Sequence, residues 1–239
     1  MNMLINPEEL RQNLDRLEEV EKTSLRLVTQ AVYDYRTDAQ EIFRAENDQV
    51  ADIGEDITRE ALDRLGMPRI DQRLFGKVDY KRACYLFHPE YALKQALFVD
   101  SKAEKISGQG TATLQTSQLS MIVKQVRFGR ELEIPGKLPE IVYLKGESYL
   151  TTTIFVKYNY EEEKEGNVLK GITVASVPNG MLQDRYNPDP KDTIWIAGRN
   201  APTLGEEFRV RLSFHRLKEK ANWRVQYIPL DGKDFVWNQ

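Results

Sequence analysis

An aspartate and a lysine two positions apart could hold a metal ion beside an ammonium group. The 239-residue chain contains four such Asp-x-Lys triplets, so the spacing alone does not select one of them. Two are typical of turns, because Asp189 lies between prolines and Asp231 precedes a glycine. The other two begin at Asp79 and Asp100. Asp100 follows the apolar run 96–99, where an isolated buried carboxylate would be costly without a compensating partner.

The sequence 74–102 predicts an antiparallel hairpin that brings Asp79 and Asp100 together. The midpoint between them falls between Pro89 and Glu90, inside the expected turn 88–91, so the two aspartates face each other to within a residue or two. Like charges in opposite positions destabilise a sheet, whereas a divalent cation between them reverses that effect. The hairpin therefore predicts a metal site.

The residues around Asp100 could complete such a site. Alternation along a strand places Lys102 on the same face as Asp100 and Ser101 on the other. The Ser101 main-chain carbonyl could add a hard ligand, and Lys102 could orient or deprotonate an attacking water or neutralise developing charge. Glu55 could be an accessory carboxylate, or could simply favour the dipole of its helix. This set suits metal-assisted phosphodiester hydrolysis; the alternative is a surface hairpin with a charged face.

The composition excludes several other sites. One cysteine excludes an internal disulfide and a Cys-based zinc site, and two histidines exclude a His-rich centre, so oxygen ligands must hold any metal. The sequence shows neither a membrane span nor a secretory signal, and we expect a cytoplasmic protein. Residues 1–66 carry 8 Lys/Arg and 16 Asp/Glu, whereas residues 67–239 carry 26 and 21, which permits a local basic surface despite the net charge of −3.

The predicted elements form a mixed sheet flanked by helices. A capping sequence at Asn6 and helical spacing predict one long N-terminal helix, or two with a bend, and a second helix over 52–65. Strands are predicted over 74–87, 92–101, 141–144, 149–160, 168–177, 193–197 and 208–214, and a helix over 114–126. We expect an α/β (α+β) fold in a single domain, 1–239, with a helical part, 1–66, and a sheet-rich part, 67–239.

Basic residues near the later strands could contact a nucleic acid. Arg209 and Arg211 alternate on a predicted strand, so both would project to one face and could read guanine edges bidentately. The alternative is an exposed strand face on which they pair with Glu206 or Glu207. Further candidates lie on two predicted loops. Arg199 and Asn200 are on one, and Lys105 and Gln109 are on the other, which is next to the proposed metal site.

Two segments resemble the active-site hairpin of the PD-(D/E)XK nucleases. These are Val-Asp-Tyr-Lys-Arg at 78–82 and Val-Asp-Ser-Lys-Ala at 99–103. Within that superfamily the chain resembles the type II restriction endonucleases of the SfiI group and, more distantly, of the BglI group. The likeness covers most of the chain and includes the Arg-Tyr-Asn-Pro-Asp-Pro run at 185–190, with shorter matches at 55–58, 113–119, 152–156 and 216–223.

This resemblance implies a restriction-endonuclease-like fold and a type II enzyme that cuts double-stranded DNA with Mg²⁺ at a palindromic or interrupted-palindromic site. Three-base 3′ overhangs are a plausible outcome. Asp79, Asp100 and Lys102 match the catalytic trio, while Arg199, Arg209 and Arg211 fall where such enzymes carry basic residues facing DNA. A palindromic site requires a two-fold protein, so we expect at least a homodimer, with a tetramer as the larger assembly.

Two alternatives stand beside this hypothesis. One keeps the nuclease fold but changes the target to damaged or branched DNA, as in a repair or junction-resolving nuclease. The other is a non-enzymatic oligomeric scaffold, in which the long N-terminal helix drives assembly and the carboxylates are surface residues.

Overall fold

The computed structural model describes residues 4–46, 50–66, 83–88, 92–108, 110–164, 166–196 and 209–239. The α-helices in this part are α1 Leu14–Asp34, α2 Arg36–Ala45, α3 Val50–Arg64, α4 Gln183–Tyr186 and α5 Phe214–Lys220. The strands are β1 Ala83–His88, β2 Leu93–Lys105, β3 Thr111–Gln115, β4 Val123–Arg127, β5 Arg130–Ile134, β6 Ile141–Leu144, β7 Glu147–Glu163, β8 Gly166–Val177, β9 Trp195–Ile196, β10 Arg209–Ser213 and β11 Val225–Pro229. No helix in the described ranges is long and apolar enough to cross a membrane.

The N-terminal helices follow the capping signals of the sequence. Asn6 caps a first 3₁₀ turn, Pro7–Gln12, because its side chain accepts a hydrogen bond from the Glu8 amide. The expected bend falls at Tyr35, between α1 and α2. After α3, Gly66 adopts the left-handed conformation, with φ of 67°. The predicted long N-terminal helix and the helix that follows it are confirmed.

The central sheet mixes parallel and antiparallel pairs, as predicted. Its strand order is β1-β2-β7-β8-β11, and β6 also pairs with β7. Strands β2 and β7 are parallel, in register from Gln95 opposite Leu150 to Lys105 opposite Tyr160, while the other pairs are antiparallel. This parallel pair places residues from distant parts of the sequence side by side.

Strands β1 and β2 form the expected antiparallel hairpin. Ala83 lies opposite Phe98 and His88 opposite Leu93, so the midpoint falls between positions 90 and 91, one residue later than predicted. Each facing partner therefore shifts by two positions, which is within the one or two residues of register that the sequence left open. Asp79 lies outside the described residues, and its position opposite Asp100 stays a prediction.

The predicted helix over 114–126 is wrong. The chain there forms the end of β3, a 3₁₀ turn at Thr116–Gln118, and most of β4. In β3 the buried residues Ala112 and Leu114 alternate with half-buried ones, which is the period of a strand. Antiparallel pairing with β10 supplies the hydrogen-bond partners of β3, and no local signal in the sequence announces that pairing.

Two hydrophobic cores cover the two faces of the central sheet. Alternation along β7 sends Ile154 and Tyr158 to the side of the helices and Phe155 to the side of the small sheet β3-β10-β9. The helical side also contains Leu25, Phe43 and Leu62, and the side of the small sheet contains Leu114, Trp195 and Leu212. Strand β2 thus lies between α3 on one face of the sheet and β3 on the other.

The 185–190 segment connects α1 to β4. Asn187 is buried, and its side-chain amide binds the backbone of Lys124 in β4. Its Oδ1 accepts from the Lys124 amide at 2.7 Å, and its Nδ2 donates to the Lys124 carbonyl at 2.9 Å. Arg185 forms an ion pair with Glu18 of α1 at 2.7 Å. The segment around the predicted turn at Asp189 therefore has a structural role in the described part of the chain.

A buried ion pair joins α1 to the residue before β11. Arg224 Nη2 lies 2.7 Å from Glu21 Oε2, and neither side chain has exposed surface. The Asn179 amide donates to Glu21 Oε1 at 2.9 Å, and the Arg224 guanidinium lies 4.3 Å from the Tyr186 ring centroid. Burial raises the pKa of Glu21, although the charge of Arg224 opposes that rise.

Candidate active site

Strand β2 presents its polar side chains on two faces, as alternation predicts. Ser101 is directed at the helices, where its Oγ donates to Thr58 Oγ1 of α3 at 2.7 Å. Helix α3 approaches β2 closely, because a Cβ built at Gly54 would lie 3.1 Å from the Ala103 amide nitrogen. This close approach places Glu55, the next residue of α3, beside the strand.

Asp100 is a half-buried residue whose carboxylate charge is only partly compensated. Burial raises its pKa and the charge of Glu55 raises it further, while Lys102 and a hydrogen bond from Gln118 lower it. Within the described part of the chain, Asp100 Oδ2 is buried and has no hydrogen-bond partner. A buried oxygen of this kind beside a second carboxylate fits a cation ligand.

The described residues supply only part of the predicted ligand set. They contain no group of three or more His, Cys, Asp or Glu that could hold a metal ion. Asp100 and Glu55 interact, whereas Asp79 lies outside the described ranges. The Ser101 carbonyl directly follows Asp100 on β2 and remains a candidate ligand. Carboxylate and carbonyl oxygens are the donors that Mg²⁺ prefers, so these residues fit a hard divalent ion.

Replacing Asp100 by asparagine is expected to stabilise the metal-free protein at neutral pH by about 0.5–2 kcal/mol. The folded state raises the pKa of Asp100, so ionisation of this carboxyl destabilises the fold as pH rises from the unfolded-state pKa through the folded-state pKa. The difference between Asp100→Asn and wild type should therefore shrink in acid. Thermal melts in EDTA across a pH series measure this effect.

Asp231→Asn is the matched control for that experiment. Asp231 is exposed in a turn, and the hydrogen bond from Lys233 lowers its pKa, so this substitution should not stabilise the protein. A wild-type-like or lower Tm for Asp100→Asn at neutral pH would contradict the assignment of Asp100 as an electrostatically unfavourable group in the metal-free protein.

Lys102 lies near Asp100, and its ammonium is directed at strand β3. Its Nζ donates to the Thr113 carbonyl at 2.7 Å and lies 6.0 Å from the Phe155 ring centroid. The charge of Lys102 lowers the pKa of Asp100, so the two groups of this Asp-x-Lys triplet lie close enough to interact. The structure thus brings together Asp100, Lys102 and Glu55.

A second lysine, Lys157 of β7, was not found from the sequence. Its register partner across the parallel pair is Lys102, and its side chain has no exposed surface. Burial lowers the pKa of Lys157, the ion pair with Glu104 opposes that change, and the charges of Lys102 and Arg211 lower the pKa further. The available signal was a lysine inside the apolar run 154–158, but only the strand pairing reveals its neighbours.

The predicted recognition residues divide into two groups. Arg209 and Arg211 are half-buried and alternate with the buried Val210 and Leu212, so they share one face as predicted. Lys105 instead pairs with Glu162 on the surface at 2.8 Å, and both side chains are more than half exposed. The remaining candidates lie outside the described residues: Arg199, Asn200 and Gln109, together with the alternative partners Glu206 and Glu207.

Comparison with known proteins identifies the family. The family model described as type II restriction enzyme SfiI matches residues 27–228. The type II restriction enzyme SfiI of Streptomyces fimbriatus is 38% identical over 231 residues, which cover 90% of this chain and 85% of that enzyme.

Solved structures agree with this match. The crystal structure of tetrameric SfiI bound to cognate DNA has a TM-score of 0.82 and 34% identity, and the match covers 99% of this chain and 92% of that one. BglI bound to its DNA recognition sequence has a TM-score of 0.76 at 18% identity, covering 94% of each chain, and supports the fold alone. The predicted restriction-endonuclease-like fold is confirmed, and the chain belongs to the SfiI family of type II restriction enzymes.

Proposed function

We propose that this restriction endonuclease hydrolyses phosphodiester bonds of double-stranded DNA with Mg²⁺, at a palindromic or interrupted-palindromic site. Membership of the family makes the chain a type II, site-specific deoxyribonuclease. The observation that carries the proposal for the site is the buried Oδ2 of Asp100, whose carboxylate interacts with Lys102 and Glu55. Leaving three-base 3′ overhangs is part of this proposal.

Each residue of the site has a proposed role. Asp79, Asp100 and the Ser101 carbonyl hold Mg²⁺, and Glu55 assists as an accessory carboxylate. Bound there, the ion supplies a Lewis acid for the phosphate and a water of lowered pKa. The Lys102 ammonium orients the attacking water and stabilises the charge that develops on the phosphate oxygens.

The proposed DNA surface extends from this site along β10. Arg209 and Arg211 read base edges from one face of the strand, with Arg199, Asn200, Lys105 and Gln109 as further contacts. We propose a homodimer at minimum, because a palindromic site presents two equivalent half-sites. A tetramer is proposed because the SfiI structure is tetrameric. The active form is proposed to be one domain over 1–239 and to act in the cytoplasm.

Digestion of DNA of known sequence tests the proposed activity. With Mg²⁺, plasmid DNA should give discrete fragments, and sequencing their ends should yield one recognition site with three-base 3′ overhangs. Branched DNA of unrelated sequence, incubated in parallel, should stay intact. Cleavage of branched junctions without discrete plasmid fragments would favour the junction-resolving alternative, and no cleavage of either substrate would favour the scaffold.

Arg211→Ala is expected to weaken binding of cognate DNA by about 1–3 kcal/mol, roughly tenfold to 100-fold, with little effect on non-cognate DNA. The free energy lost is that of the hydrogen bonds from Arg211 to bases of the recognition site, which non-cognate DNA lacks. Titrations with both DNAs in Ca²⁺, at one fixed salt concentration, measure the ratio of the two affinities. Lys233→Ala, which changes an exposed lysine that is paired with Asp231 and is not a proposed DNA contact, should leave that ratio unchanged; an equal loss of both affinities in Arg211→Ala would contradict base readout.

A further inference from the structure

We propose that Lys157 and Glu104 form a positioning pair that fixes strand β3 and, through it, the ammonium of Lys102. This inference rests on the proposed catalytic role of Lys102. Lys157 would not touch the DNA, because its side chain is completely buried and its Nζ is bound by other protein groups.

The pair connects three strands at one point. Lys157 Nζ of β7 lies 2.5 Å from Glu104 Oε2 of β2 and donates to the Thr111 carbonyl of β3 at 2.6 Å. A buried ammonium loses the hydration of its charge, so the fold tolerates it only with partners of this kind. Glu104 is about one-third exposed and supplies the compensating charge.

Both lysines bind the same edge of β3. Lys102 Nζ donates to the Thr113 carbonyl, two residues after the Thr111 carbonyl that accepts from Lys157. Alternate carbonyls of a strand point in the same direction, and among the described strands β3 is an edge of its sheet, paired on the other side with β10. The two ammonium groups therefore cover the edge that β3 would otherwise leave unpaired.

This edge also connects cleavage to recognition. Thr113, which binds Lys102 through its carbonyl, lies opposite Arg211 in the pairing of β3 with β10. A shift of β3 would displace the Lys102 ammonium and the recognition strand relative to β2. Because a misplacement of about 1 Å in a catalytic group can lower a rate by about 10²-fold, the Lys157–Glu104 pair controls the rate without contacting substrate.

Lys157→Met tests this inference in the full-length protein. The single-turnover rate of cognate cleavage at saturating protein should fall by about 100-fold, whereas the Kd for cognate DNA in Ca²⁺ should stay close to the wild-type value. Lys170→Met is the matched control, because Lys170 is a lysine that pairs with Glu161 and Glu163 near the surface; it should cut at the wild-type rate.

Glu104→Gln gives a second measurement in case Lys157→Met does not fold. It should show the same loss of rate. The double variant should be no slower than either single variant, because each of the three variants removes the same Lys157–Glu104 interaction. A merely structural role would instead lower Tm and reduce the bound and the cleaving fractions in parallel. That result, or wild-type cleavage rates in Glu104→Gln and any folded Lys157→Met, would overturn the inference.

The variant Lys102→Ala distinguishes failure of the positioning inference from failure of the proposed catalytic site. If Lys102→Ala still cuts at the wild-type rate, the catalytic assignment of Lys102 is wrong. If Lys102→Ala is inactive while the variants at positions 104 and 157 cut normally, the assignment stands and only the positioning role is wrong.

Discussion

Asp100→Ala is expected to lower the rate of cognate DNA cleavage by about 10³-fold or more, because a metal ion at a phosphoryl centre supplies several kcal/mol of transition-state stabilisation. Asp100 contributes a buried oxygen, Oδ2, that has no hydrogen-bond partner within the described residues, and it lies at the proposed ion site. Binding of cognate DNA should largely survive, since the proposed base-reading residues Arg209 and Arg211 lie on β10. Single-turnover cleavage in Mg²⁺ and affinity in Ca²⁺ measure the two quantities separately.

Lys102→Ala should be impaired in the same way, by about 10²- to 10³-fold, which is typical for the loss of one group that stabilises transition-state charge. Asp231→Ala is a matched control, because Asp231 belongs to an Asp-x-Lys triplet that lies in an exposed turn. Loss of DNA binding combined with normal cutting at saturating protein, in either active-site variant, would refute the assignment of these residues to cleavage.

Arg224→Met is expected to lower the free energy of unfolding by about 3–5 kcal/mol, because it leaves the buried carboxylate of Glu21 without its partner. The native pair holds α1 against the residue preceding β11, so the loss should appear in the cooperative unfolding of the protein. Denaturant titrations that compare the midpoint at constant slope measure this change.

The sign of the pH effect follows from Glu21. Burial already raises the pKa of Glu21, and removal of Arg224 raises it further, so protonation of this carboxyl stabilises the folded variant. The deficit of Arg224→Met should therefore decrease as pH falls below the folded-state pKa of Glu21. At neutral pH, Glu21→Leu with Arg224→Met should recover much of the stability, as replacement of both partners of a buried pair often does.

Arg185→Met is the control for the buried pair. Arg185 also pairs with Glu18 of α1, but it is about one-third exposed, and its loss should cost no more than about 1 kcal/mol. Equal effects of the two substitutions would show that burial does not determine the contribution of these arginines.

The parts of the fold that local signals encode could be predicted from the sequence. The capping box at Asn6 and the stop at Gly66 are determined by residues within a few positions of the helix ends. Strand β6 has the predicted bounds, and alternation alone places Arg209 and Arg211 on one face. A hairpin is also local in this sense, which is why the midpoint of β1 and β2 was predicted to within one residue.

Features that depend on distant pairing could not be predicted. The segment 114–126 contains apolar residues that fit a helix or a strand, and pairing of β3 with β10 decides between them. Lys157 gains its importance only because β7 lies parallel to β2 at Lys102, and no periodicity in the sequence specifies which strands become neighbours. For the same reason, the interaction of Glu55 with Asp100 was a hypothesis until α3 was placed on β2.

The order of the strands along the chain has a consequence for the cell that makes this protein. The proposed catalytic residues lie on β2, which pairs in parallel with β7. Strand β3 packs over β2 and pairs with β10, and β10 ends at Ser213. Translation proceeds from the N-terminus, so an unfinished polypeptide on the ribosome holds the acidic groups long before the elements that complete the site. A nascent chain therefore cannot assemble this site before residue 213 has emerged from the ribosome.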